Sequence, residues 1–171
     1  MNSKDVKRKL TAILSADVKG YSRLMGEDEL ATVRTITLYR KVMTDLIQQQ
    51  NGRVVDSPGD NLLAEFASVV DAVECAEKIQ KDLRDRNSEL PDNRKMEFRI
   101  GVNLGDVIQD EDRIYGEGVN IAARIESLAE GVAFASRAMS MTRSKKSWTS
   151  NMNIWENTPS RTLPNLCRCI R

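Results

Sequence analysis

Apolar and polar residues fall into segments of two different periods, and the order of these segments predicts the secondary structure. Residues 8–18 are expected to form a buried strand, because a hydrophobic run begins at Leu10. Between Asp28 and Gln50 the apolar residues recur at helical spacing, with Asp28 as the expected N-cap and Asn51-Gly52 as the expected end. The apolar positions of this helix are Leu30, Val33, Ile36, Met43, Leu46 and Ile47.

Shorter segments follow as far as residue 128. Arg53–Asp56 and Asn61–Phe66 predict a hairpin around the turn Ser57-Pro-Gly-Asp60. Ser68 begins a second helix with a capping-box-like start. The remaining segments are a polar loop at 87–94, a half-buried alternating strand at 96–104, a looser hairpin at 105–115 and a final helix at 117–128.

This order, β-α-β-β-α-β-β-α, predicts an α+β fold of the ferredoxin-like kind, in which helices pack on one face of an antiparallel sheet. A boundary is expected near Gly131, giving a domain at 8–130 and an atypical tail at 131–171. The tail carries seven basic residues and one acidic residue, whereas residues 1–130 carry 19 basic and 24 acidic residues. It also shows no sustained apolar period, so we expect it to be poorly ordered.

Composition excludes several classes of function. Lys plus Arg is 26 and Asp plus Glu is 25, so no global field marks a nucleic-acid or membrane binder. The chain has no histidine, which excludes imidazole-based catalysis and histidine metal sites. Three cysteines give no disulfide framework, and no apolar run reaches membrane length, so we expect a cytoplasmic protein.

The candidate chemistry rests on carboxylates. Asp17 ends the first apolar run, and Asp60 lies in the turn that leads into another strand. Each alone is more often a strand-end or turn residue. Together, on neighbouring strands, they match the usual protein contribution to a two-metal phosphoryl-transfer site. Asn120 and Arg124 share a face of the last helix and suit stabilisation of an anionic oxygen, although a solvated polar face is the simpler reading of that pair alone.

Four segments together resemble the class III adenylate/guanylate cyclase catalytic domain, in order and with fitting spacings over roughly residues 8–130. Four linked motifs are far more specific than one. The segments are Ala12-Ile-Leu-Ser-Ala-Asp-Val-Lys-Gly-Tyr-Ser22, Gly52-Arg-Val-Val-Asp-Ser-Pro-Gly-Asp-Asn-Leu-Leu-Ala-Glu-Phe66, Phe98-Arg-Ile-Gly-Val-Asn-Leu-Gly-Asp106 and Ile114-Tyr-Gly-Glu-Gly-Val-Asn-Ile-Ala-Ala-Arg-Ile-Glu126.

The resemblance implies a head-to-tail homodimer with two composite sites, which converts a nucleoside triphosphate, ATP by family frequency, into a 3′,5′-cyclic nucleotide and pyrophosphate. Asp17, Asp60 and the Val18 carbonyl would bind two Mg²⁺ or Mn²⁺ ions per site. Asn120 and Arg124 would reach across from the other protomer. Phosphate would meet the backbone N–H groups of Lys19, Gly20, Tyr21 and Ser22.

The sequence departs from the family pattern at the base-selecting positions. A lysine is usual where this chain has Asp56, and an aspartate or threonine is usual where it has Arg113. The exchanged pair predicts an interface salt bridge, or a purine contact of reversed polarity. ATP and GTP therefore both remain candidate substrates.

The tail is the second departure, because it lacks the expected strands, helix and phosphate-binding lysine. Residues 153–157 and 160–166 can be re-read in another frame as Tyr-Met-Gly-Glu-His and Lys-Asn-Ile-Ala-Glu-Pro, which resemble the family's ending. One hypothesis is a frameshift near Gly131, with weak or absent activity and a tendency to aggregate. The rival is a natural basic tail that binds a partner or an acidic surface.

Two other functions are alternatives. One is an inactive pseudo-cyclase that binds nucleotide or dimerises in a signalling role. The other is a diguanylate cyclase, which is disfavoured because the Gly-Gly-acidic-acidic-Phe turn of that family is missing.

Overall fold

A computed structural model describes residues 7–129, 132–136 and 155–156 of the chain. The helices are α1 (Tyr21–Glu27), α2 (Glu29–Gln49), α3 (Val69–Asn87) and α4 (Glu117–Leu128), with a 3-10 turn at Asp92–Arg94. The strands are β1 (Lys7–Val18), β2 (Gly52–Asp56), β3 (Asn61–Phe66), β4 (Phe98–Asp110), β5 (Arg113–Tyr115), β6 (Val132–Ser136) and β7 (Trp155–Glu156). No helix in these three stretches combines the length and the apolar character needed to cross a membrane.

The sheet runs in the order β2-β3-β1-β4-β6-β7, with β5 paired to β4 beside this path. All pairs are antiparallel except β4 with β6, which are parallel because α4 crosses over between them. The predicted α+β class and the antiparallel core sheet are confirmed. The long β1–β4 pairing, from Lys7 opposite Gln109 to Val18 opposite Phe98, forms the centre of the sheet.

Helices α2, α3 and α4 begin where the sequence predicts, whereas the short α1 was not among the predicted elements. The Asp28 carboxylate accepts a hydrogen bond from the Ala31 N–H and caps α2, and the Ser68 hydroxyl accepts from the Asp71 N–H and caps α3. The predicted hairpin is also present, because β2 and β3 pair around the turn that contains Asp60.

Alternation along β1 divides the core between the two faces of the sheet. Ala12, Leu14 and Ala16 pack in the main core with α2 and α3, whereas Ile13 packs on the other face with Ala122 of α4. Helices therefore cover both faces, and the expectation of a single covered face holds only for α2 and α3. Because α4 covers this second face, the prediction that the strand at 96–104 is half-buried is wrong. Gly101 and Asn103, on the face predicted to be exposed, are buried beneath α4.

The apolar stripe of α2 is also displaced from its predicted position. Leu30 and Val33 are exposed, and the buried face instead runs through Thr32, Ile36, Tyr39, Met43 and Ile47. Tyr39 and Thr32 belong to it because their hydroxyls are satisfied: Tyr39 donates to Asn87 at 2.8 Å and Thr32 to the Leu24 carbonyl at 2.9 Å.

Asn87, predicted to open a polar loop, is instead the buried last residue of α3. Its side chain accepts from the Tyr39 hydroxyl and the Met96 N–H and donates to the Met96 carbonyl at 2.9 Å. These bonds join α2, α3 and the segment before β4.

Strands β6 and β7 lie beyond residue 130 and extend the sheet from β4. The other residues of the predicted tail, 137–154 and 157–171, lie outside the described residues, as do 130 and 131. The tail and frameshift hypotheses therefore stay predictions. If the reading frame changes, the pairing of β6 with β4 favours a change after Ser136.

Candidate active site

Asp17 and Asp60 meet at one end of the central strands. Asp17 is the penultimate residue of β1, and the antiparallel register places it opposite Asn61, which directly follows Asp60. The turn before Asn61 is closed by its N–H, which donates to the Pro58 carbonyl at 3.0 Å. Gly59 adopts a φ of 57° there, a left-handed conformation that glycine accepts without strain.

The two carboxyl groups interact directly. Burial raises the pKa of Asp60 above its ordinary value, and the nearby Asp17 carboxyl raises it further by charge repulsion and a shared hydrogen bond. The backbone at Asp60 and the Arg40 guanidinium of α2 act in the opposite direction. The two carboxyl groups are thus close enough to interact, and the Arg40 guanidinium partly offsets their repulsion.

A second cationic group, Arg99 of β4, reaches the site from the other side of β1. It lies opposite Asp17 in the β1–β4 register, and its Nη2 donates to Asp17 Oδ2 at 2.6 Å. The same Nη2 lies 3.6 Å from Oε1 of Glu126 on α4. The Ser15 hydroxyl donates to the other Glu126 oxygen at 3.4 Å. One guanidinium therefore bridges a carboxylate of the sheet and a carboxylate of the helix.

Burying the Glu126 side chain costs free energy, because its ionised form loses contact with water. Its side chain is 6% exposed. Burial raises its pKa to about 7, and repulsion from Asp17 and Asp60 adds to burial, while Arg99 and the hydrogen bond from Ser15 act in the opposite direction. A carboxyl group with such a raised pKa, beside other titratable groups, is a common feature of functional sites.

Close backbone contact fixes α4 on the sheet. A Cβ atom on Gly101 would lie 2.4 Å from both the Ala122 carbonyl oxygen and the Glu126 nitrogen, so only glycine permits this approach. Nearer the start of the helix, the buried Asn103 side chain donates to the Gly118 carbonyl at 2.9 Å.

Asn120 and Arg124 lie on the opposite face of α4 and are exposed. Ala122, Ile125 and Glu126 form the buried face of the same helix. The predicted site residues therefore lie on two separate surfaces. Asp17 and Asp60 lie together at the strand ends, whereas Asn120 and Arg124 face away from the sheet.

The segment before α1 is partly engaged within the chain. The Lys19 N–H already donates to the Glu97 carbonyl at 2.8 Å, so it is not free to receive phosphate as the resemblance implies. Gly20 caps α1 in the left-handed conformation, with φ 70° and ψ 32°. Tyr21 and Ser22 form the first turn of that helix, where backbone N–H groups have no intrahelical partner.

Asp56 is the last residue of β2 and Arg113 the first of β5, two strands that come into contact without pairing in the sheet. Asp56 lies at a register shift of the β2–β3 pair and accepts a hydrogen bond from the Ser57 N–H at 2.8 Å. The pKa of Arg113 is raised, first by a hydrogen bond and charge interaction with Tyr115 and then by attraction to Asp56. These two side chains attract each other within one chain. Their proposed roles, an interface salt bridge or a contact with the purine base, stay predictions.

Arg99, Ser15 and Glu126 were not predicted from the sequence as site residues. A signal for Glu126 was present, because it falls on the apolar stripe of α4 with Ala122 and Ile125, where a charge needs a reason. Arg99 carried no such signal, because an arginine in an alternating strand reads as a solvent-facing residue.

The donor set suits a hard divalent cation. Within 7–129, 132–136 and 155–156 no three His, Cys, Asp or Glu side chains are grouped closely enough to hold a metal ion. Two carboxylates remain, and Mg²⁺ is commonly bound through one or two carboxylates together with water and substrate phosphates.

Comparison with known proteins identifies the class. The family model described as the adenylate and guanylate cyclase catalytic domain matches residues 5–155. The crystal structure of an adenylate/guanylate cyclase/hydrolase from Silicibacter pomeroyi superposes with a TM-score of 0.71 at 36% identity, covering 77% of this chain and 78% of that one. Fold, site and family together define a class III adenylate/guanylate cyclase domain.

The chain therefore belongs to the adenylate and guanylate cyclase catalytic domain family, a family of enzymes, and the resemblance is confirmed. It is 44% identical over 138 residues to a putative adenylate cyclase 3 of Rhizobium meliloti, covering 79% of this chain and 24% of that protein. An adenylate cyclase of Streptomyces coelicolor is 29% identical over 121 residues, covering 69% of this chain and 30% of that protein. The chain thus spans about a quarter to a third of these relatives.

Proposed function

We propose that this chain acts as a nucleotidyl cyclase module that converts a nucleoside triphosphate, with ATP as the first candidate, into a 3′,5′-cyclic nucleotide and pyrophosphate. The observation that carries the proposal is the meeting of Asp17 and Asp60 at the ends of adjacent strands. The adenylate cyclases among its relatives support ATP as the first substrate to test.

Asp17, Asp60 and the Val18 carbonyl are the proposed ligands of two Mg²⁺ or Mn²⁺ ions. When bound, such ions supply activation of the ribose 3′-hydroxyl and charge neutralisation of the triphosphate. The chain's own contribution is to hold the carboxylates in place through the β1–β3 register and the turn at Gly59. Phosphate is proposed to meet the N–H groups of Gly20, Tyr21 and Ser22, with Lys19 omitted because its N–H is already bonded.

The site is proposed to be completed by a second copy of the chain. Asn120 and Arg124 point away from the protomer's own sheet, so they suit a carboxylate pair presented by another subunit. There the amide would orient the ribose and the guanidinium would stabilise the charge that develops in the transition state. A homodimer with two such sites follows from twofold symmetry.

The purified protein with Mn²⁺ should produce cyclic nucleotide from ATP or GTP, and Asp60→Ala should abolish it. Asn120→Ala should also be inactive. An equal mixture of the two variants should recover about a quarter of wild-type activity, since half of randomly paired dimers hold one intact site. Product from Asp60→Ala alone would refute the assignment, and an inactive mixture of two folded variants would refute the composite site.

We also propose that the cyclase activity of this chain is reduced. The family's phosphate-binding lysine is not found in the reading frame of residues 131–171, and the loss of such a charge-assisted contact is worth roughly 1.5–3 kcal/mol. Sequencing the gene from the codon for Gly131 onward tests the frameshift. A single intact frame without a cyclase-like alternative would leave the natural basic tail as the explanation.

The second candidate is a pseudo-cyclase that binds nucleotide without turning it over. The exchanged charges at Asp56 and Arg113 favour it, because they remove the usual base-selecting lysine. Calorimetry that shows binding of ATP with Mn²⁺, together with no detectable product, would support this candidate over the first.

A further inference from the structure

Helix α4 connects two surfaces that serve different sites in the proposed dimer. Its buried face carries Glu126 and lies against β1 and β4 of its own protomer. Its exposed face carries Asn120 and Arg124, which the proposed dimer assigns to the site of the partner. A displacement of this helix would therefore change the positions of side chains at both sites.

The polar contacts of Glu126 lead straight to the carboxylate pair. Arg99 Nη2 lies 2.6 Å from Asp17 Oδ2 and 3.6 Å from Glu126 Oε1, so the two carboxylates share one cationic nitrogen. Arg99 Nε is buried and has no hydrogen-bond partner among the described residues. The guanidinium is thus incompletely satisfied where it stands, and its closer partner at present is Asp17.

The backbone contact between α4 and β4 makes the helix sensitive to this sharing. Gly101 allows the helix backbone to touch the strand, and no side chain cushions that contact. Glu126 is one of the residues whose backbone lies directly over Gly101. The Glu126 backbone is therefore held in direct contact with β4, and its carboxyl group is the polar link between this part of the helix and Arg99.

We propose that Glu126 is a positioning residue that, through Arg99, ties the carboxylates of its own protomer's site to the helix that presents Asn120 and Arg124 to the other site. This inference rests on the proposed dimeric cyclase. If Asp17 were engaged by a bound cation, Arg99 would pair less with Asp17 and more fully with Glu126, and the position of α4 on the sheet would change. The two sites of the dimer are then coupled by their shared helices.

The first test needs no turnover. Hydrogen exchange of the α4 amides is compared with and without Mn²⁺ in the wild type, in Glu126→Gln and in a matched control, Glu74→Gln, whose side chain is exposed on α3. Mn²⁺ should change α4 exchange about fivefold or more in the wild type and the control, and should leave it unchanged in Glu126→Gln.

The outcomes separate the inference from the function on which it depends. Mn²⁺ binding, measured by calorimetry, without any α4 response in the wild type overturns the inference and leaves the cyclase proposal intact. An equal α4 response in wild type and Glu126→Gln also overturns it. No Mn²⁺ binding to the wild type, or undiminished binding to Asp60→Ala, removes the proposed function itself and the inference with it.

The second test places the substitution in one subunit at a time. A dimer of one Asp60→Ala chain and one Asn120→Ala chain has a single productive site, built from the carboxylates of the second chain and the α4 of the first. Glu126→Gln in the carboxylate-supplying chain should raise the Mn²⁺ requirement about tenfold. The same change in the α4-supplying chain, whose own cation site is removed by Asp60→Ala, tests the positioning of α4 alone and should lower kcat about fivefold or more with little change in KM.

A merely local role gives a different pattern. If Glu126 acted only on the carboxylates of its own protomer, the substitution in the α4-supplying chain would leave kcat unchanged, and the proposed positioning of α4 by Glu126 would be wrong. Glu74→Gln in either chain should change neither quantity.

Discussion

Replacing Glu126 by glutamine should raise the free energy of unfolding at alkaline pH and leave it unchanged at acidic pH. Glutamine has the shape of the protonated glutamic acid. Its carbonyl oxygen can accept from Arg99 and its amide can donate to the Ser15 oxygen, so the two polar contacts persist without the buried charge. The variant therefore isolates the cost of ionising this one group.

The magnitude follows from the position of the pKa. Burial, with repulsion from Asp17 and Asp60, raises the pKa of Glu126 from 4.5 to about 7. The folded protein then binds more protons than the unfolded chain between these values, so stability falls as the pH rises from 4.5 through 7. At about 1.4 kcal/mol per pH unit, the full difference is about 3 kcal/mol at pH 8 and vanishes near pH 4.

The assay is urea denaturation followed by circular dichroism, in buffer with EDTA, at several pH values between 4.5 and 8. Wild type and Glu126→Gln should converge at the acidic end and separate as the pH rises, with the variant more stable. The exposed Glu74→Gln on α3 serves as the control and should follow the wild type. A difference that does not depend on pH, or a variant less stable than wild type at pH 8, would refute the reasoning.

Three further predictions concern the core and the carboxylate pair. Gly101→Ala should destabilise the fold by roughly 1–3 kcal/mol in urea denaturation, because its Cβ would lie 2.4 Å from the α4 backbone, whereas Gly26→Ala meets nothing within 4 Å and serves as its control. Asn87→Ala should cost about 2 kcal/mol or more by the same measurement, because it leaves buried donors and acceptors unpaired. Asp17→Asn should lower the pKa of Asp60 in a carboxyl NMR titration, because it removes a neighbouring negative charge, and an unchanged value would mean that the two groups do not interact.

The secondary structure was predictable where local signals agree. Asp28 and Ser68 cap helices in the structure as their positions predict, and the turn at Asp60 joins the predicted hairpin. The failures came from tertiary contacts that override local polarity. Thr32 and Tyr39 are buried because distant groups satisfy their hydroxyls, and periodicity of apolar residues alone cannot count them.

The candidate site shows the same division. Asp17 and Asp60 could be found because each stands at the end of an apolar segment. The contact of Arg99 with Asp17 joins residues 82 positions apart, and that of Ser15 with Glu126 joins residues 111 positions apart. Such pairs depend on the β1–β4 register and on the position of α4. The isolated Gly101 in an alternating strand was the available clue that another backbone approaches there.

The charges around the carboxylate pair are unbalanced in a way that folding alone does not explain. Asp17, Asp60 and Glu126 act on one another, and two of them have raised pKa values, while Arg99 is shared and two nitrogens of Arg40 are buried without a partner among the described residues. Replacing such groups by apolar residues commonly stabilises a protein. Their retention is understandable if the negative charge serves the proposed cations, because a divalent ion at Asp17 and Asp60 would relieve the repulsion that, after burial, contributes to the raised pKa values of Asp60 and Glu126. The same reasoning gives Glu126 a role other than stability, since its burial weakens the fold as the pH rises from 4.5 through 7 but keeps α4 in electrostatic contact with the site.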